Sequence, residues 1–364
     1  MIIMVKKIGI ITDDDFARKN IPPYPHPSFY SHEHPLRIKV ILDYFEKIKL
    51  FEDERIKRIA PIEVDESLIS QAHSQYHVDT IRRISDFGNG ILDDEVFVTA
   101  DTFDLAKKAI GGAIIAIESV LKKEVNQSLA LIRPPGHHAI REKSSGLCIF
   151  NNIATSIHYL RKNLDYGKKI AIIDIDDHFG DGLAQFFYED PEVLYFSIHE
   201  FDFEDIDIGF INEIGAGDGM GKNINFPVPL GITDDDFLEF TDLLEPILKE
   251  FRPDIVIVAA GFDMYWSDGI GNCLLTSRSY YNFTKWILQL TEEICEGKLA
   301  FILEGGYSPT GLPVCVHSVV KALLKEEYKR PDFEYVDFSS LSKKDDVLKI
   351  KRALKKILQD YWQI

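Results

Sequence analysis

The sequence contains few cysteines, and no two of them have the C-x-x-C spacing. Its 364 residues include only Cys148, Cys273, Cys295 and Cys315, three of which lie inside or beside apolar segments. A chain of this length buries roughly 75% of the surface that its unfolded form exposes, so its core needs no disulfide framework. We therefore expect four reduced thiols.

The sequence also lacks a long apolar run. No stretch reaches the roughly 18 to 20 apolar residues that a membrane-spanning helix requires. The opening segment, 1–12, is a mixed run interrupted by Lys6 and Lys7, and it predicts a first strand and not a signal peptide. Together with the reduced cysteines, this pattern predicts a cytoplasmic protein that does not bind a membrane.

The sequence has fewer basic than acidic residues. The chain has 41 Lys and Arg residues against 59 Asp and Glu residues, which gives a formal net charge of −18. This excess of negative charge disfavours direct binding to nucleic acid phosphates or to anionic lipid. A cationic partner or substrate is easier to accommodate.

Repeats, low-complexity tracts and Pro/Gly/Ser-rich linkers are also missing, which predicts a single domain over residues 1–364. Short apolar runs alternate with longer segments of helical period, and this predicts an α/β fold with a doubly wound, mostly parallel sheet flanked by helices. The predicted strands are 8–11, 129–132, 170–175, 193–198, 255–260 and 299–303, and the predicted helices are 103–123, 152–164, 234–251 and 277–295. Residues 331–364 are expected to form a tail whose helix, 345–358, packs on the domain, with an oligomer contact as the alternative.

Polar residues follow five of these predicted strands. Their sequences are R-P-P-G-H-H (133–138), D-I-D-D-H-F-G-D-G (174–182), S-I-H-E (197–200), G-F-D (261–263) and E-G-G-Y (304–307). In open parallel sheets, ligands bind beyond the carboxyl ends of the strands. We therefore expect these His, Asp and Tyr side chains to meet at one edge of the sheet.

Asp176, His178 and Asp263 form a candidate metal site. The first two are two residues apart on an extended segment and so point to the same side, while Asp263 arrives from another strand. One imidazole and two carboxylates with an open position suit a catalytic divalent ion, for which we predict Zn²⁺, although Fe²⁺ and Co²⁺ are also compatible. An isolated D-x-H is usually a surface turn, but here it follows a buried strand, where an unpaired charge would be costly.

The adjacent His137 and His138 form a candidate proton-handling pair. The two carboxylates Asp174 and Asp181 can orient one imidazole each and push the two pKa values apart, so that the pair can act as general base and general acid. Tyr307 offers a phenol hydroxyl that can donate to a developing oxyanion. Taken alone, Tyr307 is equally compatible with an aromatic residue at the rim.

These residues resemble the histone deacetylase superfamily, which includes the acetylpolyamine amidohydrolases and the acetoin-utilisation deacetylases. The resemblance covers roughly residues 8–325, and its R-P-P-G-H-H and A-G-F-D forms favour the class II and prokaryotic branches. The motifs, in the family's order, are R-P-P-G-H-H-A (133–139), G-L-C-I-F-N-N (146–152), D-I-D-D-H-F-G-D-G (174–182), E-I-G-A-G-D-G-M-G-K-N-I-N-F-P-V-P (213–229), A-G-F-D (260–263) and L-E-G-G-Y (303–307).

The resemblance implies an arginase/deacetylase-like fold and a zinc-dependent amidohydrolase. Such an enzyme removes an acetyl or other acyl group from an amine such as acetyl-lysine or an acetylated polyamine, by attack of a metal-bound water on the amide carbonyl. The implied roles are zinc binding by Asp176, His178 and Asp263, proton handling by His137 and His138 paired with Asp174 and Asp181 respectively, and polarisation of the acyl carbonyl by Tyr307.

The resemblance also implies bound K⁺ with a structural role. One ion would lie near Asp174, Asp176, His178 and Ser197, and a second would lie near Phe187, Asp190 and Val193, held mainly by backbone carbonyls. Arg37 is implied to lie on the product-release side.

Three positions depart from the family pattern. They are Phe179, where relatives often have a second histidine, Leu147, where many have a tunnel phenylalanine, and Asn272, where polyamine-selective relatives can carry a carboxylate. The substrate class therefore stays open between protein lysine and small amines. An acidic run, Asp93, Asp94 and Glu95, offers another source of negative charge at the rim.

Two other functions are compatible with the sequence. An arginase-type ureohydrolase also uses D-x-H segments, but the segment at Asp263 reads G-F-D-M-Y and lacks the second carboxylate that a binuclear bridge needs. A non-catalytic binder of acyl-lysine is disfavoured because every proton-handling position is filled.

Overall fold

The protein is described from a computed structural model that covers residues 6–23, 32–93, 95–164, 166–203 and 208–364. The strands of its main sheet are β1 Ile8–Ile11, β2 Ile56–Ile59, β5 Gln127–Ala130, β6 Ile170–Asp174, β7 Val193–Glu200, β8 Asn223–Val228, β9 Ile255–Ala260 and β10 Leu299–Leu303. A separate antiparallel pair consists of β3 Asn89–Ile91 and β4 Phe97–Thr99. All pairs of the main sheet are parallel, and the strand order is β2-β1-β5-β10-β9-β6-β7-β8.

Helices flank this sheet. Within the described ranges, the α-helices are α1 Leu36–Lys47, α2 Glu66–Ile69, α3 Gln75–Phe87, α4 Thr102–Leu121, α5 Asn152–Asn163, α6 Asp181–Phe187, α7 Asp234–Phe237, α8 Thr241–Phe251, α9 Ser277–Ile294, α10 Gly311–Leu323 and α11 Lys344–Leu358. The 3₁₀ helices are Asp14–Ala17, Leu50–Glu52, Gly217–Gly219, Leu238–Phe240, Asp332–Glu334 and Ser339–Leu341. Across these same parts of the chain, every helix is too short or too polar to span a bilayer.

The predicted fold class is confirmed, and the sheet shows why the apolar runs are continuous. Every residue of β6, β9 and β10 is buried, because helices cover both faces of the central strands and leave no face for solvent. The five strands β5, β10, β9, β6 and β7 are neighbours in the sheet. Their carboxyl ends therefore bring the five polar segments to one edge.

The two edge strands were not predicted. In β2, Lys57 and Arg58 are exposed, so the strand lacks the continuous apolar run of a central strand. In β8, Asn223 and Asn225 interrupt the apolar pattern, and Pro227 is tolerated because an edge strand has one side without a ladder partner. Where one helix was predicted over 234–251, a 3₁₀ turn joins α7 to α8.

The tail ends in the predicted helix. Val347, Leu354 and Leu358 of α11 are fully buried in the main core. Beyond the helix, Trp362 Nε1 donates to the carbonyl oxygen of Gly221 at 2.7 Å. Both contacts fasten the tail to the segment that leads into β8.

Candidate active site

The pairing register of β6, β7 and β9 determines which residues meet at the base of the candidate site. Asp174, the last residue of β6, is paired with Ser197 of β7 on one side and with Ala259 of β9 on the other. Asp176 and Asp263 therefore leave neighbouring strands at nearly the same height. This local arrangement follows from the apolar runs, which end just before these polar residues.

Asp176, His178 and Asp263 lie together at this edge. One ligand atom from each residue lies within 4.8 Å of the other two. His178 Nδ1 is 3.2 Å from Asp176 Oδ1 and 3.4 Å from Asp263 Oδ2. The two carboxylates are buried, whereas the His178 side chain is 42% exposed, so the group is open to solvent on one side.

The backbone fixes these carboxylates and leaves room for a cation. Asp176 Oδ2 accepts from the Gly305 amide at 2.8 Å, and Asp263 Oδ1 accepts from the Asp177 amide at 2.9 Å. Asp263 Oδ2 is buried and accepts no hydrogen bond. A Cβ atom at Gly305 would lie 2.1 Å from that oxygen, so only glycine allows this approach. The donor set and the unsatisfied oxygen fit a divalent ion such as Zn²⁺.

The electrostatics of this group favour bound positive charge. Burial lowers the pKa of His178, but the nearby carboxylates of Asp176 and Asp263 outweigh it, and the pKa is raised well above its ordinary value. Burial and the Asp176 charge raise the pKa of Asp263. Two buried carboxylates this close together require a proton or a metal ion between them.

The two histidines lie beside the candidate metal ligands. His137 Nδ1 is 3.2 Å from Asp174 Oδ2, and His138 Nδ1 is 2.8 Å from Asp181 Oδ1. The two ring centroids are 4.0 Å apart. His137 Nε2 lies 3.7 Å from Asp176 Oδ1. Each imidazole therefore has its own carboxylate on one side and the metal group on the other.

The pKa values of this pair are driven apart. Burial lowers the pKa of His137, but the charges of Asp176 and Asp174 outweigh it and raise the pKa to about 10. For His138, burial and the neighbouring charge of His137 prevail over the hydrogen bond with Asp181, and the pKa is lowered. The two shifts have opposite signs, so His137 favours its protonated form more strongly than His138 does.

Tyr307 is buried, two residues after Gly305, whose amide donates to Asp176. Its amide donates to Asp268 Oδ2 at 2.7 Å, and the guanidinium carbon of Arg37 lies 4.5 Å from its ring centroid. Burial raises the pKa of the phenol well above its ordinary value, so the hydroxyl stays protonated as a donor. Arg37, Asp268 and Tyr307 line a cavity of about 330 Å³, together with His32 and Leu312.

The residues implied for K⁺ lie in two places. Asp174 and Ser197 are register partners, and Ser197 Oγ is 2.9 Å from His199 Nδ1. In the second place, the carbonyl oxygen of Phe187 accepts from the Asp190 amide at 3.0 Å, and Val193 begins β7. The Asp190 carboxylate forms an ion pair with Arg161. A cation there would rely on backbone oxygens.

The three positions that depart from the family pattern, Leu147, Phe179 and Asn272, are each in contact with neighbouring residues. Leu147 is buried with a φ of +65°, a left-handed conformation that is uncommon for leucine. The Phe179 ring lies 5.0 Å from that of His199. Asn272 Nδ2 donates to Glu200 Oε2 at 3.1 Å. Asp93 accepts from two amides of its own turn, and Asp94 lies outside the described residues.

Sequence reasoning gave no role to several buried polar residues that support the site. The carboxylate of Glu304 accepts from the Gly136 amide at 2.6 Å and from the His137 amide at 3.1 Å. Burial raises the pKa of Glu304 to about 7. Tyr195 donates to Asp174 Oδ2 at 3.0 Å. Glu304 follows a buried strand directly, which was a usable signal, whereas Tyr195 lies within an apolar run and resembles core.

A buried ion pair was also missed. The guanidinium of Arg133 is completely buried and donates from Nε to Glu33 Oε1 at 2.8 Å. Arg37 Nη1 lies 3.6 Å from the same oxygen. The Glu33 carboxylate thus compensates two buried cations. Because the partners are far apart in sequence, no local pattern indicates the pair.

Comparison with known proteins places this chain in a family. The family model described as the histone deacetylase domain matches residues 31–323. A probable deacetylase from Archaeoglobus fulgidus is 32% identical over 363 residues, which cover 98% of each chain. The polyamine deacetylase HDAC10 from Danio rerio is 33% identical over 76% of this chain, and the match spans 42% of that protein.

A solved structure agrees with these matches. The crystal structure of the HDA15 HD domain superposes with a TM-score of 0.84 at 26% sequence identity, and the alignment covers 98% of this chain and 96% of that one. The chain therefore belongs to the histone deacetylase family and is a hydrolytic deacetylase.

Proposed function

We propose that the protein is a zinc-dependent amidohydrolase that removes an acetyl or other acyl group from an amine. The observation that carries the proposal is the proximity of two groups. The ligand atoms of Asp176, His178 and Asp263 lie within 4.8 Å of one another, and His137 Nε2 is 3.7 Å from Asp176 Oδ1. Zn²⁺ is the ion we propose for this set, and Fe²⁺ or Co²⁺ would suit the same ligands. When bound, the ion supplies Lewis-acid activation of water and of the acyl carbonyl.

The histidine pair would move the protons. His138, whose lowered pKa leaves it neutral, suits removal of a proton from the attacking water, and Asp181 orients its ring. His137, which lies 3.2 Å from Asp174 Oδ2, would stabilise negative charge as it develops. An imidazolium of the pair then gives its proton to the leaving amine, which departs as a free amine together with a carboxylate product.

Tyr307 would stabilise the oxyanion. Its protonated hydroxyl can donate a hydrogen bond to the carbonyl oxygen as negative charge grows there. The neighbouring cavity, lined by Arg37 and Asp268, offers space for the released carboxylate next to a cationic group. We propose this cavity as the product side of the site.

The substrate is an acylated amine, either a small molecule or a protein lysine. The zebrafish relative is named a polyamine deacetylase, which supports testing acetylated polyamines first. The family also includes proteins named for histone, so acetyl-lysine peptides form the second arm.

We propose K⁺ at Asp174 and Ser197 and at the carbonyls near Phe187 and Val193. The four cysteines are free and buried, which supports a reducing compartment such as the cytoplasm. The charge of −18 supports action without direct binding to nucleic acid or to a membrane. An oligomer is compatible with the chain.

The alternatives have less support. An arginase-type ureohydrolase needs two ions bridged by shared carboxylates. The two metal-compatible groups of the described residues, Asp176/His178/Asp263 and Asp177/Glu200/Cys273, share no residue. A non-catalytic acyl-lysine binder would leave the carboxylates that orient both histidines without a purpose.

The test is an amidase assay with Zn²⁺ present. Acetylated polyamines and acetyl-lysine peptides of several acyl lengths are incubated with the protein, and the released amine and carboxylate are quantified. We expect turnover on at least one class. Absence of turnover on every substrate, combined with tight binding of a hydroxamate, would favour the non-catalytic binder instead.

A further inference from the structure

A second group of metal-compatible side chains lies behind the first. Asp177, Glu200 and Cys273 each offer a ligand atom, and these atoms lie within 4.8 Å of one another. The three residues come from three segments: the one after β6, the end of β7, and the loop between β9 and α9. None of them belongs to the catalytic group described above.

Asp177 is a buried carboxylate with one unsatisfied oxygen, and its side-chain contacts include the Cys273 thiol. The residue is only 3% exposed, and its Oδ1 atom accepts no hydrogen bond. Among the described residues, no Lys, Arg or His side chain forms an ion pair with Asp177 or Glu200. Two neighbouring carboxylates in such a place are costly unless a proton or a metal ion compensates them.

The surroundings hold the group in place. Glu200 Oε1 accepts from the Gly231 amide at 3.0 Å, and Glu200 Oε2 accepts from the amide and the side chain of Asn272. These bonds fix the carboxylate next to Cys273. A Cβ atom at Gly271 would lie 2.5 Å from Asp177 Oδ2, so the glycine keeps the space beside this carboxylate open.

We propose that Asp177, Glu200 and Cys273 bind a second divalent transition metal ion, with Zn²⁺ as the favoured species. Two carboxylates and one thiolate form a mixed oxygen and sulfur set, which selects Zn²⁺ or Co²⁺ over Mg²⁺ and Ca²⁺. Binding releases the thiol proton of Cys273 to solvent. The ion ties together three segments of the rim, and the Asp177 amide connects it to the first group through Asp263 Oδ1.

The site differs from an arginase-type pair in one decisive respect. A binuclear ureohydrolase centre would use Asp176 and Asp263 for both ions, whereas the second ion proposed here depends on the Cys273 sulfur. The three residues are also distinct from the metal ligands and the histidine pair of the proposed deacylation. Metal content and turnover can therefore fail separately.

The test counts metal ions in the full chain. The metal-stripped protein is loaded with Zn²⁺, excess ion is removed, and the metal per chain is measured for the wild type, for Cys273→Ser and for the control Cys295→Ser. Cys295 is also buried and free but lies at the end of α9, where its Sγ atom contacts only the Lys298 carbonyl within hydrogen-bonding distance. We expect two ions in the wild type and the control, and one in Cys273→Ser.

Loading with Co²⁺ provides a readout that needs no variant. Thiolate coordination gives a sulfur-to-cobalt charge-transfer absorption in the near ultraviolet, which we expect to appear with the wild type and to be absent from Cys273→Ser. One ion per chain in the wild type, or two ions in both the wild type and Cys273→Ser, would overturn the proposal. Absence of the charge-transfer band from the loaded wild type would do so as well, even if the variant failed to fold.

Discussion

The guanidinium of Arg37 lies over the ring of Tyr307, with its central carbon 4.5 Å from the ring centroid. The same side chain donates from Nε to the Gly306 carbonyl at 2.8 Å and from Nη2 to the Glu304 carbonyl. Arg37, in α1, thus holds the backbone of the segment that carries the Tyr307 phenol. Arg37 therefore restrains the segment that carries Tyr307 through two carbonyl oxygens and through the phenol ring.

Replacing Tyr307 with phenylalanine removes only the proposed oxyanion donor. We expect Tyr307→Phe to lower kcat by about 10²–10³-fold, which is the usual scale for one lost donor. Steady-state turnover and metal content should be measured together, and the metal content should not change. Tyr335→Phe, at a position that is 76% exposed, is the matched control. A Tyr307→Phe rate within threefold of the wild type, roughly 0.7 kcal/mol, would contradict the proposed role.

The pairing of His138 with Asp181 predicts a graded effect. We expect His138→Ala to lower kcat by about 10²–10⁴-fold, the range for a lost general acid or base. Asp181→Asn keeps the imidazole but changes its orienting partner, which lies 2.8 Å away, and should cost about 10–100-fold. Asp104→Asn, on an exposed carboxylate, serves as the control. Equal losses in the two site variants would mean that Asp181 does more than orient the ring.

The central part of the fold could be predicted because its physics is local. A continuous apolar run followed by polar residues describes a strand that is covered on both faces, and six of the eight main strands carry that pattern. The edge strands β2 and β8 were not predicted. Because one side of each has no neighbouring strand, their sequences need not be continuously apolar. Lys57, Arg58 and the asparagines of β8 are compatible with an edge but not with a central strand.

For the site, the candidate metal ligands were predictable from the sequence, but the residues that support them were not. Asp176, His178 and Asp263 were expected to share an edge, and their ligand atoms do lie within 4.8 Å. The partners that hold this edge in place come from distant segments: Glu33 binds Arg133 across 100 positions, and Glu304 binds the His137 amide across 167. Neither a hydrophobic period nor a short motif in the sequence indicates contacts between residues so far apart. The same reason kept Asp177, Glu200 and Cys273 from being recognised as one group.

Loss of the Glu33 carboxylate should destabilise the fold. The Glu33 and Arg133 side chains are almost completely buried, and Arg37 Nη1 is a second cation nearby. We expect Glu33→Gln to lower the free energy of unfolding by about 3–5 kcal/mol, because it leaves buried positive charge uncompensated. Chemical denaturation measures this difference. The exposed pair Lys39–Asp43 provides the control, since Asp43→Asn should cost no more than about 1 kcal/mol.

Removing one candidate zinc ligand should remove one ion. Asp263→Asn replaces a charged ligand, and we expect it to abolish turnover and to lower the metal content by one equivalent relative to the wild type. Chelation of the wild type should have the same effect on turnover, and added Zn²⁺ should restore it. Asp346→Asn, on an exposed carboxylate of α11, should change neither quantity. Full metal content in Asp263→Asn would argue against this ligand set.

The buried imidazole of His73 predicts how stability depends on pH. Its Nδ1 lies 2.9 Å from the Ile140 carbonyl, and its Nε2 accepts from the Asn151 amide at 2.9 Å. Burial is the largest cause that lowers the pKa of His73, to about 3 in the folded protein against 6.5 for an ordinary histidine. The unfolded chain therefore binds a proton between these two values while the folded protein does not, so the folded state loses stability as the pH falls.

The size of this effect can be measured directly. Each pH unit below the unfolded pKa costs about 1.4 kcal/mol, which predicts a loss of about 2 kcal/mol from His73 between pH ~7 and pH ~5. His73→Gln removes the titrating group, so its stability should decrease by about 2 kcal/mol less than that of the wild type over the same interval. Urea denaturation at several pH values tests this difference. Between pH ~7.5 and pH ~8.5 both proteins hold this position neutral, so their pH dependence should be the same there. A difference of equal size in that upper interval would show that His73 is not the group responsible.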